Sequence, residues 1–285
     1  MRDCIFIYVR QVLVGTNQVS LKLQLFLSKK VRVMHNPLRE RLNQGKVCAG
    51  ILTSMPSVNM AQTLSNSGFD WLFVDMEHGA IDIASCHHMI TATAGTQCAP
   101  VVRVMEPSIS YTKPVLDSGA MGIIFPMVTS KEAAESAVKA VRYPPEGERG
   151  WGPFYAPMRW GNGNSMDYYK ASNDVVIIAL IEHVESIENI DAILGVNGID
   201  VFFIAPMDLA ASMGHVGNRD HPDVQAAIKR GEKAIKDAGR ALGGLCLSAD
   251  EGNTKISDGY QVLLMGFDLL LLEIGTKTML DGLKR

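Results

Sequence analysis

The sequence predicts a (β/α)8 barrel, and three observations point to it. Short apolar runs of strand length alternate with helical patterns from Val47 onward, the signature of repeated βα units around a parallel sheet. Eight such runs fit within about 250 residues, the usual span of a closed barrel. No Gly-x-Gly-x-x-Gly follows the first run, so the dinucleotide-binding open sheet lacks its main support.

The expected strands follow in order, each a near-continuous apolar run suited to burial on both faces. "VCAGILTS" (47–54) comes after a short helical segment, "MHNPLRERLNQG". "WLFVDME" (71–77), "APVVRV" (99–104) and "GIIFPMV" (122–128) come next, with "IASCHHMITATAG" as a helix between the first two of these. "VVIIALIE" (175–182), "GIDVFFIAP" (198–206), "ALGGLCLS" (241–248) and "DLLLLEI" (268–274) complete the eight. One connection breaks the rhythm. The stretch "RYPPEGERGWGPFYAPMRWGNGNSMDYYKASND" is too long for an ordinary turn and rich in Pro, Gly and aromatics, which suits a surface excursion or subunit contact. Arg149, Trp151 and Arg159 are its interface candidates.

With 285 residues, 47% apolar and 20% charged, the chain can bury a sizeable core. A net charge of -3 and a pI near 6.2 provide no broad basic surface, which argues against nucleic-acid and membrane partners and for a small molecule. The five cysteines (Cys4, Cys48, Cys86, Cys98, Cys246) are odd in number and form no CxxC pair. A reducing compartment, the cytoplasm, is expected, without disulfides or a zinc knuckle. The fifteen methionines are scattered and read as core filler. Residues 1–33 carry seven charges, of which only Asp3 is acidic. They read as a leader or as a start placed upstream of Met34, outside a single barrel domain at 34–285. A transit peptide there would change the expected location to the mitochondrial matrix.

Charged residues gather where the strands end. The second run finishes in Asp75, Glu77 and His78, the third carries Arg103, the fifth ends in Glu182 and His183, and "APMD" places Asp208 after the sixth. In a barrel these ends share one mouth, where the chemistry of this fold sits. Unpaired charges buried after apolar runs are costly unless they meet partners, a metal or solvent. Glu182 and Asp208, on adjacent strands, can share one hard divalent cation such as Mg2+, leaving room for water and an oxygen-rich 2-oxo acid. The plainer alternative is that both pair with Arg103 and cap a helix. His78, beside Asp75 and Glu77, has carboxylates to orient it for acid/base work. His87 and His88 lack an acid at ligand spacing and read as surface or packing residues.

In this order, "FVDMEHG", "PVVRV", "LDSGAMGIIFPMV", "RYPPEGERG", "IEHVESIENIDAIL" and "GIDVFFIAPMDLAASMG" resemble the HpcH/HpaI aldolase family, the metal-dependent class II pyruvate aldolases. The resemblance runs from about Leu38 to the end. It implies a (β/α)8 barrel assembled as a hexamer from paired subunits that exchange a terminal helix. It also implies reversible cleavage of 2-oxo-4-hydroxy acids to pyruvate and an aldehyde. By position, Glu182 and Asp208 match the metal ligands, with Mg2+, Mn2+ or Co2+ as the ion. Arg103 matches the arginine on the keto oxygen, His78 the acid/base histidine, Asp117 its carboxylate partner, and Asp75 a supporting residue. The backbone amides of Met207 and Asp208 match the receptor of the pyruvate carboxylate.

Two features depart from a smooth fit. Asp117 ends a helix that leads into the fourth strand, so barrel geometry puts it on the face opposite His78; it serves a neighbouring subunit's site or is structural. Leu180 stands where many relatives carry glutamine, which removes one polar group from the metal's surroundings. No lysine lies at a strand end for a Schiff base, and Lys113 and Lys131 sit in helical segments. The rival readings are an enzyme that decarboxylates oxaloacetate to form carbon-carbon bonds at the same site, and a barrel kept as a non-catalytic scaffold.

Overall fold

The computed structural model describes residues 34–161 and 163–284; residues 1–33, expected to be a leader or a start placed upstream of Met34, lie outside the described residues. The first helix of the described residues, α1 (Pro37–Asn43), begins at Asn36, whose side chain accepts the Leu38 and Arg39 N–H groups. The Asn36 amide also donates to the carbonyls of Met121 (2.6 Å) and Asp174 (2.8 Å), both of which lie just before a strand begins. α1 therefore closes the N-terminal end of the barrel and leaves the other end free.

The chain then runs β1 (Cys48–Thr53), α2 (Val58–Ser65), β2 (Trp71–Asp75), α3 (Ile83–Ala92), β3 (Ala99–Arg103), α4 (Ile109–Asp117), β4 (Gly122–Phe125) and α5 (Lys131–Val141). The long connection folds into α6 (Ala156–Trp160) and α7 (Ser165–Ala171) before β5 (Val176–Ile181). The second half comprises α8 (Val184–Glu188), α9 (Ile190–Leu194), β6 (Val201–Ile204), α10 (Pro206–Ser212), α11 (Pro222–Asp237), β7 (Ala241–Leu245), α12 (Ala249–Ser257), β8 (Val262–Phe267) and α13 (Asp268–Leu280). The eight strands form a closed barrel in sequence order, all neighbours parallel, with β1 against β8. Strands β2 to β6 are buried along their whole length, as enclosure by helices outside and packed side chains inside requires.

One strand is corrected. The eighth strand is Val262–Phe267, and "DLLLLEI" instead opens α13. Residues 262–274 form one long apolar stretch broken by Gly266, Asp268 and Glu273, and in such a run composition does not distinguish strand from helix. Asp268 marks the junction. Its buried carboxylate accepts from Thr53 Oγ1 (2.9 Å), Ser54 N (2.9 Å), Ser54 Oγ (3.0 Å) and Met55 N (3.0 Å), tying the end of β8 to the end of β1. Asp268→Ala leaves these donors unsatisfied, so we expect urea unfolding to show a loss of about 3 kcal/mol. Asp268→Asn, which keeps one acceptor oxygen, should lose less.

The long connection also departs from expectation. Arg149 is buried: its guanidinium lies over the rings of Tyr143 (4.5 Å) and Tyr168 (5.4 Å) and donates to Asp117 Oδ1 at 2.7 Å. Arg159 is half-buried and donates to Thr93 Oγ1 (2.8 Å) and the Cys98 carbonyl (3.1 Å). Both brace their own chain, and among the three candidates only Trp151 is largely exposed. His87 packs against Tyr155 with ring centres 4.8 Å apart, and His88 is exposed. The methionines are only partly core filler. Met105, Met127 and Met207 are exposed just beyond the ends of β3, β4 and β6.

Candidate active site

The mouth is built around a register pair. Asp75 and Arg103, the last residues of β2 and β3, stand side by side in the sheet. Arg103 donates from Nε to Asp75 Oδ1 (2.9 Å) and from Nη2 to Oδ2 (2.7 Å), a two-pronged pair buried from solvent. Asp75 Oδ1 further accepts the N–H groups of Glu77 (3.1 Å) and His78 (3.3 Å), folding the chain after β2 back over the strand. Gly79 permits that fold, since a Cβ there would meet the Asp75 carbonyl oxygen at 2.2 Å. The clamp fixes the guanidinium plane through two nitrogens.

The third nitrogen faces Glu77. Arg103 Nη1 lies 3.1 Å from Glu77 Oε2, an oxygen that is buried without a well-directed hydrogen bond. Ion-pair distance is met, but the donor geometry is poor. His78 Nε2 stands 4.0 Å from the same oxygen, and the imidazole is 68% exposed. Burial works against the Arg103 charge, yet the hydrogen bond and charge of Asp75, with Glu77 and Glu182, more than offset it and hold the guanidinium firmly protonated. Burial pushes the Glu77 carboxyl up; Arg103 and His78 oppose this, and Asp75 and Asp208 reinforce it.

Glu182 follows β5 directly and is buried. Its Oε1 accepts the Met127 N–H at 2.6 Å. Met127 has a φ of 53°, the left-handed region that a non-glycine residue rarely occupies. The chain after β4 thus takes a strained turn and directs an amide at this carboxylate. Burial, together with Asp208 and Glu77, pushes the Glu182 carboxyl up to about 7 against the pull of the Met127 amide and Arg103. Asp208 is exposed in the first turn of α10, where the amides of Met207 and Asp208 have no partner within the helix. Leu180 is buried two residues before Glu182, on the same side of β5 by strand alternation. His183 caps α8 by accepting the Glu185 N–H.

The structure therefore gathers Asp75, His78, Arg103, Glu182, Met207 and Asp208 at the C-terminal end of the barrel. It does not bring Asp117 there. That residue ends α4, which returns the chain to the opposite face, and it accepts from Arg149 of its own chain. Glu77, expected as a carboxylate beside His78, also lies against Arg103 Nη1, whereas no side-chain pattern announces the part taken by the Met127 backbone. The mouth holds Asp75, Glu77, Glu182 and Asp208 against Arg103. This excess of oxygen donors and negative charge fits a hard divalent cation.

The family model for HpcH/HpaI aldolase/citrate lyase matches residues 51–273. The chain is 38% identical over 241 residues to 2-keto-3-deoxy-L-rhamnonate aldolase of Escherichia coli strain K12, covering 84% of this chain and 90% of the relative. A HpcH/HpaI aldolase/citrate lyase family protein from Burkholderia cenocepacia J2315 superposes with a TM-score of 0.80 at 31% identity, covering 86% of this chain and 98% of that one. Macrophomate synthase superposes with a TM-score of 0.78 at 26% identity, over 90% and 95% of the two chains. A closed barrel, a mouth rich in carboxylates around one clamped arginine, and matches over most of the length converge: the chain belongs to the HpcH/HpaI aldolase/citrate lyase family.

Proposed function

We propose that this chain is an aldolase, a carbon-carbon lyase that reversibly cleaves a 2-oxo-4-hydroxy acid to pyruvate and an aldehyde. The observation that carries the reading is the Arg103 guanidinium, locked in orientation by Asp75 beside the Glu77, Glu182 and Asp208 carboxylates. Cleavage of C3–C4 leaves an electron pair on C3 that spreads onto the C2 oxygen as an enolate. Arg103 donates to that oxygen as its charge grows. His78, exposed at the rim, takes the proton of the 4-hydroxyl as the aldehyde carbonyl forms. Protonation of C3 then yields pyruvate. The amides of Met207 and Asp208 receive the substrate carboxylate at the start of α10. Glu182 and Asp208 would hold a divalent ion, Mg2+ or in its place Mn2+ or Co2+, which would supply Lewis-acid stabilisation of the same charge. The substrate of the Escherichia coli relative, a 2-keto-3-deoxy sugar acid by its name, belongs to this class. Pyruvate, Mg2+ and a panel of aldehydes, read for coupled products, test the reading. Products only from oxaloacetate would favour decarboxylative bond formation, and no uptake of Mg2+ or pyruvate by calorimetry would favour a scaffold.

The Glu182 carboxyl implies a pH dependence. Its folded value, about 7, lies above the ordinary 4.5, so between these values the folded chain binds more protons than the unfolded chain. The metal-free protein should therefore lose stability as pH rises from about 4.5 to about 7, and Mg2+ should restore it, because the ion binds the ionised form. Thermal melts at pH 5 and pH 8, with and without Mg2+, check both signs.

The proposed assembly is a homo-oligomer, a hexamer of paired subunits. α13 supports it: Leu269, Leu271, Leu272, Ile274 and Leu280 are exposed in the single chain, and a helix so apolar calls for a covering surface. If Asp117 completes the His78 relay of a neighbouring subunit, inactive His78→Ala and Asp117→Asn proteins should regain activity when refolded together, because some mixed interfaces then carry one intact pair. Native mass spectrometry confirms the heteromers. Absence of recovery in proven heteromers would leave Asp117 as the counter-ion of Arg149 alone. The cytoplasm is the proposed location, supported by four buried free cysteines, Cys48, Cys86, Cys98 and Cys246. Among the described residues no helix is long and apolar enough to cross a membrane.

A further inference from the structure

A second set of ligating atoms lies outside the mouth, where the loop after α10 meets the start of α11. His215, His221 and Asp223 each offer one ligand atom, and these atoms all lie within 4.8 Å of one another; no other such trio occurs among the described residues. His215 Nε2 is 3.8 Å and His221 Nδ1 is 3.7 Å from Asp223 Oδ2. The two imidazoles are stacked with ring centres 3.5 Å apart and planes 15° apart. Aromatic rings usually avoid so direct an overlay, and here it turns nitrogens of both rings toward one carboxylate.

The spacing can be tested against an ion. Bonds of about 2.0–2.2 Å in a tetrahedral shell place ligand atoms roughly 3.3–3.6 Å apart. The two separations to Asp223 exceed that by a few tenths of an ångström, and because an imidazole lone pair lies in its ring plane, an ion shared by both rings requires one of them to rotate out of the stack. The backbone beneath is tied down. His215 N–H donates to the Ala210 carbonyl (2.8 Å), Asn218 N–H to the His215 carbonyl (2.9 Å) and His221 N–H to the Asn218 carbonyl (3.2 Å). His221 caps α11, and Asp223 stands in its first turn. The cap itself is long, with Asp223 N–H donating to His221 Nδ1 at 3.3 Å, so an ion taking that nitrogen displaces a weak hydrogen bond. Both imidazoles are half-buried, while the Asp223 side chain is 71% exposed, which leaves open positions for water.

Two imidazoles and one carboxylate select differently from the oxygen-rich mouth. Imidazole suits Zn2+, Cu2+, Ni2+ and Co2+, whereas Mg2+ prefers oxygen. We propose that His215, His221 and Asp223 form a binding site for a borderline divalent transition ion, typified by Zn2+, separate from the mouth and independent of the aldolase reading. The bound ion pins the loop after α10 to the start of α11.

The test uses the full chain, stripped of metal and then saturated with Mg2+ to occupy the mouth. Zn2+ is titrated by calorimetry, and one equivalent of Cu2+ is examined by electron paramagnetic resonance. Wild type should take up Zn2+ at this site and show coupling of Cu2+ to two nitrogens. His215→Ala should weaken this Zn2+ uptake at least about tenfold, since loss of a partner merely supporting a ligand already costs that much, and should reduce the coupling to one nitrogen. His221→Asn, which keeps a residue suited to the helix cap, should do the same without a fall in melting temperature. Zn2+ uptake that is absent in wild type, or unchanged in both folded variants, overturns the proposal.

Discussion

Glu182→Gln should lower kcat/KM for pyruvate release at least about a thousandfold and leave the barrel folded. The glutamine carbonyl can still accept the Met127 N–H that now reaches Glu182 Oε1 at 2.6 Å, so the turn after β4 keeps its anchor. The lost element is the negative charge. That charge is held where burial, Asp208 and Glu77 all oppose it, and a site that tolerates such crowding does so for a cation. The same reasoning fixes the sign of a second readout: without metal at pH 8, the variant should melt at or above the wild-type temperature, because an unfavourable buried charge is gone. Steady-state kinetics and thermal melts of the two proteins decide this. A variant of undiminished activity would remove Glu182 from the site, and a variant that unfolds would make its role structural.

Arg103→Lys comes next, with an expected loss of about a hundredfold or more in kcat despite the retained charge. Lysine has one nitrogen where Arg103 uses three: Nε and Nη2 on Asp75 and Nη1 beside Glu77. A point charge in that space leaves either Asp75 or Glu77 without its partner, and it presents no fixed plane to the enolate oxygen. The effect should fall on turnover more than on KM, because that oxygen is most negative in the transition state. Removing well-made bonds to a buried carboxylate should also reduce stability, by about 1–3 kcal/mol in urea. Near-wild-type turnover with reduced stability would assign Arg103 to the fold alone.

The parts of this site differ in how far the sequence discloses them. Asp75, Arg103 and Glu182 are legible because each ends or follows an apolar run, and charges placed together at such strand ends call for partners, a metal or solvent. Met127 is not, because its contribution is a backbone direction at a φ of 53°, and nothing about a methionine in "FPMV" encodes one. Arg149 misleads for a related reason. A cation among glycines and prolines looks solvated, but Tyr143, Tyr168 and Asp117 enclose it, and Asp117 is 32 positions away. The eighth strand is hard to place from sequence because "VLLMGFDLLLLEI" is apolar but for Gly266, Asp268 and Glu273, and the tertiary role of Asp268 shows where strand becomes helix. The spacing of His215, His221 and Asp223 matches no familiar motif; the turns between them bring the three together.

Formation of a pyruvate enolate underlies every proposed step and can be observed without knowing the aldehyde. In D2O with Mg2+, the protein should exchange the methyl protons of pyruvate for deuterium, seen by proton NMR as loss of the methyl signal at unchanged pyruvate concentration. Exchange should stop with EDTA and in Glu182→Gln, and should slow sharply in Arg103→Lys. Exchange at the background rate in the metal-loaded wild-type protein, or exchange undiminished in Glu182→Gln, would contradict the assignment of this mouth to enolate chemistry.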